Sequence, residues 1–478
     1  MKITIHRGTD QIGGSVTEYE FGGWHLFVDY GEELAGGKSK GRLEIEGLTH
    51  GDISKSALLI THYHGDHIGC IPELPESLPI FMGKTGRDIQ MKHSERLQHR
   101  VDVHKLMLKR LEEAHTFLPG KTFEFGPFTI MPITVDHSAF DAYAFRIEAD
   151  GLKVFHTGDF RTHGFRSAKL PKLIKEYVGE VDYVVCEATN VSRPDATNVS
   201  EHDLQQQFIE QFKEHHGNVV YLSSTNVDRL FSLYHAALKT DRVFLVDEYQ
   251  KDIMDIVTKR DTLWGKSRLY QYGKHDPYSL EIGFWKSEKF MQLLQDKGFV
   301  LMARASPAFK TYIDKLPGPK QVYLSMWKGY VNPANEAYNS ALAEALGDEW
   351  QYLHTSGHCD MDSLRGLISM LNPRAIIPIH TDNPQKFAEL FCDEWPVLLL
   401  NDGESISPIS ERVADAIWAR IVCSKTEGKY LGSFKTEEDA RFLISHIAFR
   451  PDQLLDYEIS EEEDLLSKKK ASGPMYFK

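Results

Sequence analysis

The chain has 478 residues, 41% of them apolar and 26% charged, with a formal net charge of −14. These values describe a globular chain of about two to four domains with a substantial core, and they exclude disordered, fibrous and disulfide-framed proteins. No apolar run approaches the roughly 18 residues of a membrane span, so no membrane partner is expected, and the acidic balance argues against a broadly basic nucleic-acid-binding face.

The start, residues 1–7, alternates like a strand and lacks the apolar segment of an export signal. Five cysteines form no CxxC pair, which fits a reducing cytoplasm. Apolar alternation predicts strands at 3–5, 16–21 and 24–29, with Gly13-Gly14 and Gly22-Gly23 as turns. Residues 57–61 read as a short buried strand, 84–115 as a charged helix, and 128–135, 142–148 and 152–157 as further strands. From about 200 the texture changes. Helices at 201–215, 227–239, 248–258, 286–296 and 334–346 alternate with strands at 219–223, 242–246, 299–303 and 321–325. Such alternation predicts βαβ units on a parallel sheet, in a domain of its own. Helix 360–371, strand 375–379, helix 384–392 and strand 397–400 follow. The tail from about 406 carries one amphipathic helix near 436–447, then an acidic run (458–464) and Lys468-Lys469-Lys470. These charge blocks read as solvated and mobile.

Of 22 histidines, three fall in Thr61-His62-Tyr63-His64-Gly65-Asp66-His67, directly after the buried strand at 57–61. In a strand, positions i and i+2 point the same way, so His62 and His64 can reach one metal. The turn at Gly65 then offers Asp66 and His67 to a second position nearby. Imidazole and carboxylate suit zinc, manganese or iron. His137, Asp159 and His380 each close an apolar strand, the edge at which open α/β sheets place their sites. Cys359 has no base beside it and reads as core filling. Gly83-Lys84-Thr85-Gly86 lacks the glycine spacing of a phosphate loop.

Asp29-Tyr30-Gly31, the HxHxDH cluster, His137, Asp159 and the late His380 together resemble the ordered motifs of the metallo-β-lactamase superfamily. The α/β insertion after Asp159, with Glu187, Ser356-Gly357-His358 and Pro378-Ile379-His380, is similar to the β-CASP branch, and closest to the RNA-acting ribonuclease J family. The resemblance implies an α/β fold: a metallo-β-lactamase αββα sandwich (1–198 and 354–405) interrupted by a β-CASP domain (199–353), with a short C-terminal appendage (406–478). It also implies two divalent cations, zinc first and manganese second. One would be held by His62, His64 and His137, the other by Asp66, His67 and His380, with Asp159 bridging and Asp29 as support.

Two metals about 3.5–4 Å apart clamp the attacking and leaving oxygens of a phosphodiester and make a water acidic enough to attack as hydroxide. Asp66 would orient that nucleophile, and His358, held by Glu187, would protonate the leaving oxygen. Substrate contacts are expected from Ser223, Ser224, Asn226 and Arg229, at a helix start suited to phosphate, and from Ser138 and Ser356, with Phe140 stacking a base. The expected substrate is single-stranded RNA, cut from a 5′ end or internally. Hydrolysis of a small ester, lactone or thioester, a DNA nuclease and a non-catalytic interaction subunit are the alternatives. The family's dimerisation domain is longer than this tail, which leaves a homodimer open.

Overall fold

A computed structural model describes residues 1–35, 41–195, 198–259, 266–273, 275–280, 287–409, 420–424, 430–447 and 457–461. Two mixed sheets lie face to face. The first has seven strands in the order Glu404–Ile406, Lys2–Arg7, Val16–Phe21, Trp24–Val28, Ser56–Leu59, Ile80–Gly83, His115–Phe117. The second has six, in the order Ala375–Ile379, Tyr183–Glu187, Leu152–His156, Ala142–Ala149, Phe128–Val135, Phe123–Phe125.

The period-two alternation of strand side chains explains how both faces of each sheet are buried. Ala57 and Leu59 point between the sheets, against Phe145, Ile147, Val185 and Ile377. Their neighbours Leu58 and Ile60 point outward, under Ile68, Met107 and Leu111. On the second sheet Tyr183 and Val185 face inward, and Val184 and Cys186 pack beneath Leu364, Ile368 and Phe387 of the flanking helices. Helix, sheet, sheet and helix thus stack in four layers, the αββα sandwich.

The inserted unit carries a third sheet of six strands, all parallel, in the order Tyr278–Ser279, Val243–Val246, Phe299–Ala303, Gly217–Tyr221, Lys320–Leu324, Gln351–Tyr352. Both of its faces are covered, as all-parallel sheets require: Val220, Phe244 and Met302 pack on one side and Val219, Leu245 and Leu301 on the other.

Several elements differ from the sequence reading. Residues 84–115 form two helices, Lys84–Leu97 and Val103–Glu113, then the strand His115–Phe117. No buried side chain lies between Ser94 and Met107, so nothing anchors a continuous helix there. The helix expected from 334 begins at Ser340, where the Asn339 side chain accepts from Leu342 N at 3.0 Å. Residues 397–400 contribute two isolated bridges, Val397 to Ile376 and Leu398 to Ile447, rather than a strand. The acidic run is in part ordered, because Tyr457–Glu461 pairs antiparallel with Arg420–Ser424. Residues 462–464 and Lys468–Lys470 lie outside the described residues.

The inserted unit is tied to the sandwich by buried charge. Arg161 is fully buried and bonds Asp136 at 2.8 Å, Glu201 at 2.8 Å and Asp228 at 3.1 Å. Arg229 adds a second guanidinium on Glu201 at 2.8 Å, and Tyr270 donates to Asp228 at 2.6 Å. Burial pushes the Glu201 carboxyl up, but Arg229 and Arg161 outweigh it and hold it down at about 2 against an ordinary 4.5. A depressed carboxyl stabilises the fold above its unfolded pKa and stops doing so as pH falls through its folded value. Replacing Glu201 with Gln is therefore expected to cost roughly 3–5 kcal/mol at neutral pH. That gap to wild type should close between pH 4.5 and about 2. Urea unfolding across the window checks this, and a pH-independent gap would refute the assignment.

Candidate metal centre

Five strand ends on the two facing sheets meet at one edge of the sandwich. Residues 61–67 follow Ser56–Leu59, His137 follows Phe128–Val135, and Asp159 follows Leu152–His156. Glu187 ends Tyr183–Glu187, and His380 follows Ala375–Ile379. Asp29, at φ 61°, accepts from Thr61 N at 2.8 Å and Thr61 Oγ1 at 2.7 Å, and from His67 Nδ1 at 2.7 Å. Gly31 lies so close behind Asp66 that a Cβ there would overlap the Asp66 carbonyl. The Asp29-Tyr30-Gly31 stretch is thus the backing on which the histidine loop is shaped.

The seven groups singled out in the sequence converge. His64 Nδ1 and His137 Nε2 are 3.2 Å apart, and His62 joins them in a set whose ligand atoms all lie within 4.8 Å. Asp66, His67 and His380 form a second such set, with His380 Nε2 at 3.2 Å from Asp66 Oδ2. Asp159 Oδ2 stands between them, 3.2 Å from His67, 3.8 Å from His380, 3.9 Å from His137 and 4.0 Å from His62.

Hydrogen bonding tests whether these atoms suit a cation. His62 Nε2, His67 Nε2 and Asp159 Oδ1 are buried without a hydrogen-bond partner, a costly condition unless something binds them. The other ring nitrogens are held from behind: His62 Nδ1 by Thr61 Oγ1 at 3.0 Å, His137 Nδ1 by the Gly357 carbonyl at 2.7 Å, His380 Nδ1 by Thr189 Oγ1 at 2.8 Å. Rings fixed in this way are what metal-ligating histidines require. Burial and mutual repulsion push His62 and His137 well below the ordinary imidazole value, and burial takes His64 to about 4. All three therefore present neutral lone pairs. His67 is raised despite burial, because Asp159, Asp66 and Asp29 surround it. That surplus negative field is what a bound cation would satisfy. The donor chemistry of the cluster fits a metal site.

Beside it, His358 Nδ1 lies 3.2 and 3.1 Å from the two Glu187 oxygens. Burial opposes its charge, but Glu187 and Asp159 outweigh burial and raise it to about 9. Glu187 also accepts from Phe160 N at 3.1 Å, which fixes the carboxylate. Gly357 packs so tightly on Ser138 and His137 that a side chain there would collide with Ser138. Ser356 Oγ accepts from His358 N at 3.1 Å, and Ser138 Oγ sits 3.5 Å from His137 Nε2.

The expected substrate contacts divide. Ser223 is exposed, and it lines a cavity of about 290 Å³ together with the buried Ser224, which accepts from Gln250 at 3.2 Å. Asn226 caps the helix Val227–Lys239 through Arg229 N at 3.2 Å. Arg229 is a correction: it is wholly buried on Glu201 and Ser325 and faces no ligand space. Phe140 is likewise enclosed, between Tyr270 and Arg166, and has no free face for a base. Sequence reasoning missed Thr61, Thr189, Asn190 and Arg166. Asn190 donates to the Cys359 carbonyl at 2.8 Å, and Arg166 donates to the His137 carbonyl at 3.1 Å. Only the adjacency of Thr61 to His62 was a signal.

Thr189→Val removes the hydrogen bond behind His380 while keeping its volume. Metal affinity in a chelator competition should fall by about 10–100-fold, with the unfolding temperature of the metal-free protein little changed. An unchanged affinity would show that Thr189 does not set the ring.

Residues 50–222 match the Beta-lactamase superfamily domain, and residues 350–399 match the Zn-dependent metallo-hydrolase RNA specificity domain. Ribonuclease J of Helicobacter pylori (strain B128) is 23% identical over 439 residues, covering 85% of this chain and 60% of that protein. Ribonuclease J of Mycoplasma genitalium is 22% identical over 79% of this chain and 67% of its own length. The chain therefore spans about 60% of the length of the Helicobacter relatives it matches. A crystal structure of a protein of unknown function from Enterococcus faecalis V583 superposes with a TM-score of 0.65, at 20% identity, over 85% of this chain and 99% of that one. Fold, motifs and relatives agree: the chain has the metallo-β-lactamase fold with a β-CASP insertion, and it resembles ribonuclease J over 85% of its length.

Proposed function

We propose that this chain hydrolyses phosphodiester bonds of single-stranded RNA at a site holding two divalent cations, zinc or manganese. The observation that carries the proposal is the joining of two things at one strand edge. One is a seven-group ligand cluster; the other is the charged His358–Glu187 pair beside it, whose histidine lies in the stretch that matches an RNA specificity domain. A small ester needs the first and not the second, nor the inserted unit that overlies it.

In this reading His62, His64 and His137 hold one cation, Asp66, His67 and His380 the other, and Asp159 reaches both. The cations, when bound, supply Lewis-acid polarisation of the phosphate and lower the pKa of water nearby. Everything else falls to side chains of this chain. Asp66 accepts a proton from the attacking water and fixes its direction. Glu187 accepts from His358 Nδ1, which keeps the ring protonated and turns Nε2–H toward the departing 3′-oxygen. Ser138 and Ser356 flank the ring at the mouth, and Ser223 stands farther along the strand's path. The working unit is the core 1–198 and 354–405 together with the insertion 199–353.

The test is a single-stranded RNA with a 5′-monophosphate and a 3′ label, incubated with Mn²⁺ or Zn²⁺ beside a DNA of the same sequence. Wild type should degrade the RNA and spare the DNA, and His64→Ala should abolish cleavage. His358→Gln should lower kcat by about 10²–10⁴-fold, the usual contribution of a positioned proton donor, with KM little moved. Loss from the 5′ end identifies an exonuclease and internal bands an endonuclease. Intact RNA with fully metallated protein would overturn the proposal.

A further inference from the structure

A cavity of about 750 Å³ opens where the helix Lys84–Leu97 and the turn after it face the inserted sheet. It lies at the C-terminal ends of that sheet's strands, with Asp247 directly after Val243–Val246 and Arg304 directly after Phe299–Ala303. Open parallel sheets bind their ligands at this edge. Three guanidinium groups line the cavity, Arg96, Arg100 and Arg304, against the one carboxylate of Asp247. Asp247 pairs with Arg304 and lies 3.5 Å from Arg96, and it also caps the helix Glu248–Thr258. Arg100 pairs with no carboxylate among the described residues. On a chain of net charge −14 this is a local surplus of positive charge.

The surplus is also rigid. Arg304 is held between the rings of Tyr249 and Phe309, each 5.2 Å away, and Arg96 lies over the same Tyr249 at 5.3 Å. Guanidinium groups fixed by aromatic faces are preorganised for the paired oxygens of a phosphate. The helix Pro307–Lys315 starts at the cavity wall and adds the positive end of its dipole. Burial lowers the Arg304 pKa, and Asp247 only partly offsets it, so an anion beside it would be favoured.

The cavity adjoins a second, smaller one, which a hydrogen bond ties to the metal loop. His93, Tyr249 and Arg304 also line the smaller cavity that runs to Ser223, Ser224 and Thr225. The Thr225 carbonyl accepts from Tyr63 at 2.7 Å, and Tyr63 lies between His62 and His64 in the metal loop. We propose that the arginine-lined cavity binds a phosphate of the nucleic-acid strand remote from the scissile bond, so that strands long enough to reach it bind more tightly. The identity of the strand rests on the nuclease reading above. The anion-binding character of the cavity does not.

The test compares oligouridylates of about 4 and about 16 nucleotides, phosphorothioate-linked to resist hydrolysis and fluorescein-labelled. Fluorescence anisotropy is read on the metal-loaded protein. Arg100 is exposed, so Arg100→Ser is safe for folding, and Arg96→Gln with it removes a second charge. The double variant should bind the long strand about tenfold more weakly, with the salt slope reduced by about 0.7 for the one phosphate no longer neutralised. The short strand should bind as before. Equal weakening for both lengths, or none for either, would overturn the proposal. A matching loss of affinity for uridine monophosphate would also overturn it, by making the cavity a free-nucleotide site. Hydrolysis of an unmodified short RNA is followed separately. Its absence in wild type would remove the nuclease reading while the binding comparison still decides the cavity.

Discussion

Buried imidazoles repel one another when charged, as buried carboxylates do, and both lose their hydration and compete for the same protons; the sandwich is arranged around that difficulty. Three atoms of the cluster have no hydrogen-bond partner at all. What holds their side chains in place comes from behind: Asp29 on His67, Thr61 on His62, the Gly357 carbonyl on His137, and Thr189 on His380. Each of these supports belongs to a strand end or to the loop that follows one. The two sheets supply stiffness through the apolar layer between them, and the strand ends turn that stiffness into fixed ring orientations. A cation entering the site therefore meets lone pairs already aimed, and the free energy of binding is not consumed in ordering them.

A second constraint links the inserted unit to this centre. Arg161 bonds Asp136 on the core and Glu201 and Asp228 on the insertion, and lies 3.4 Å from the Ser356 carbonyl. Arg166 bonds Asp228 at 3.1 Å and the carbonyl of His137 itself. Buried ionic networks contribute little net stability compared with apolar packing, but they penalise any arrangement that separates the partners. Sliding the insertion across the core would strand charges in a dry interior. The network thus fixes where the insertion stands, and it does so through residues adjoining a ligand histidine and the loop of His358.

The pattern of what the sequence revealed follows from this division. HxHxDH was legible because its spacing is local: four ligand groups fall within six residues, just past the short buried strand Ser56–Leu59. His137, Asp159 and His380 were legible by placement at strand ends, strengthened by the resemblance to a known family. Thr189 and Asn190 were not, since a threonine and an asparagine acquire their roles only when strands distant in sequence come together. Arg229 was misread for the same reason. Its stretch has the look of a phosphate-binding helix start, yet Asn226 is occupied in capping and the guanidinium is consumed by Glu201, 28 residues earlier. Apolar alternation found most strands of both units but passed over Ile80–Gly83 and Tyr183–Glu187, short runs without a period of two. The split of residues 84–115 was hidden because charged surface helices carry a weak periodic signal, and the break is set by where their neighbours leave them without a core to pack on.

The acidity of the chain is then no obstacle to an anionic substrate. Charges on an exposed surface are screened over about 8 Å at physiological ionic strength, so carboxylates on the far faces hardly act at the cleft. In the proposed function, what a strand would meet is local: a cluster whose carboxylates bound cations would match, a protonated histidine beside it, and guanidinium groups along the seam between core and insertion. The salt dependence of binding follows the number of phosphates contacted there and not the net charge. An acidic exterior with a short basic path suppresses binding everywhere except along that path. For the proposed ribonuclease, engaging a single strand at its centre, this confinement would be a source of selectivity.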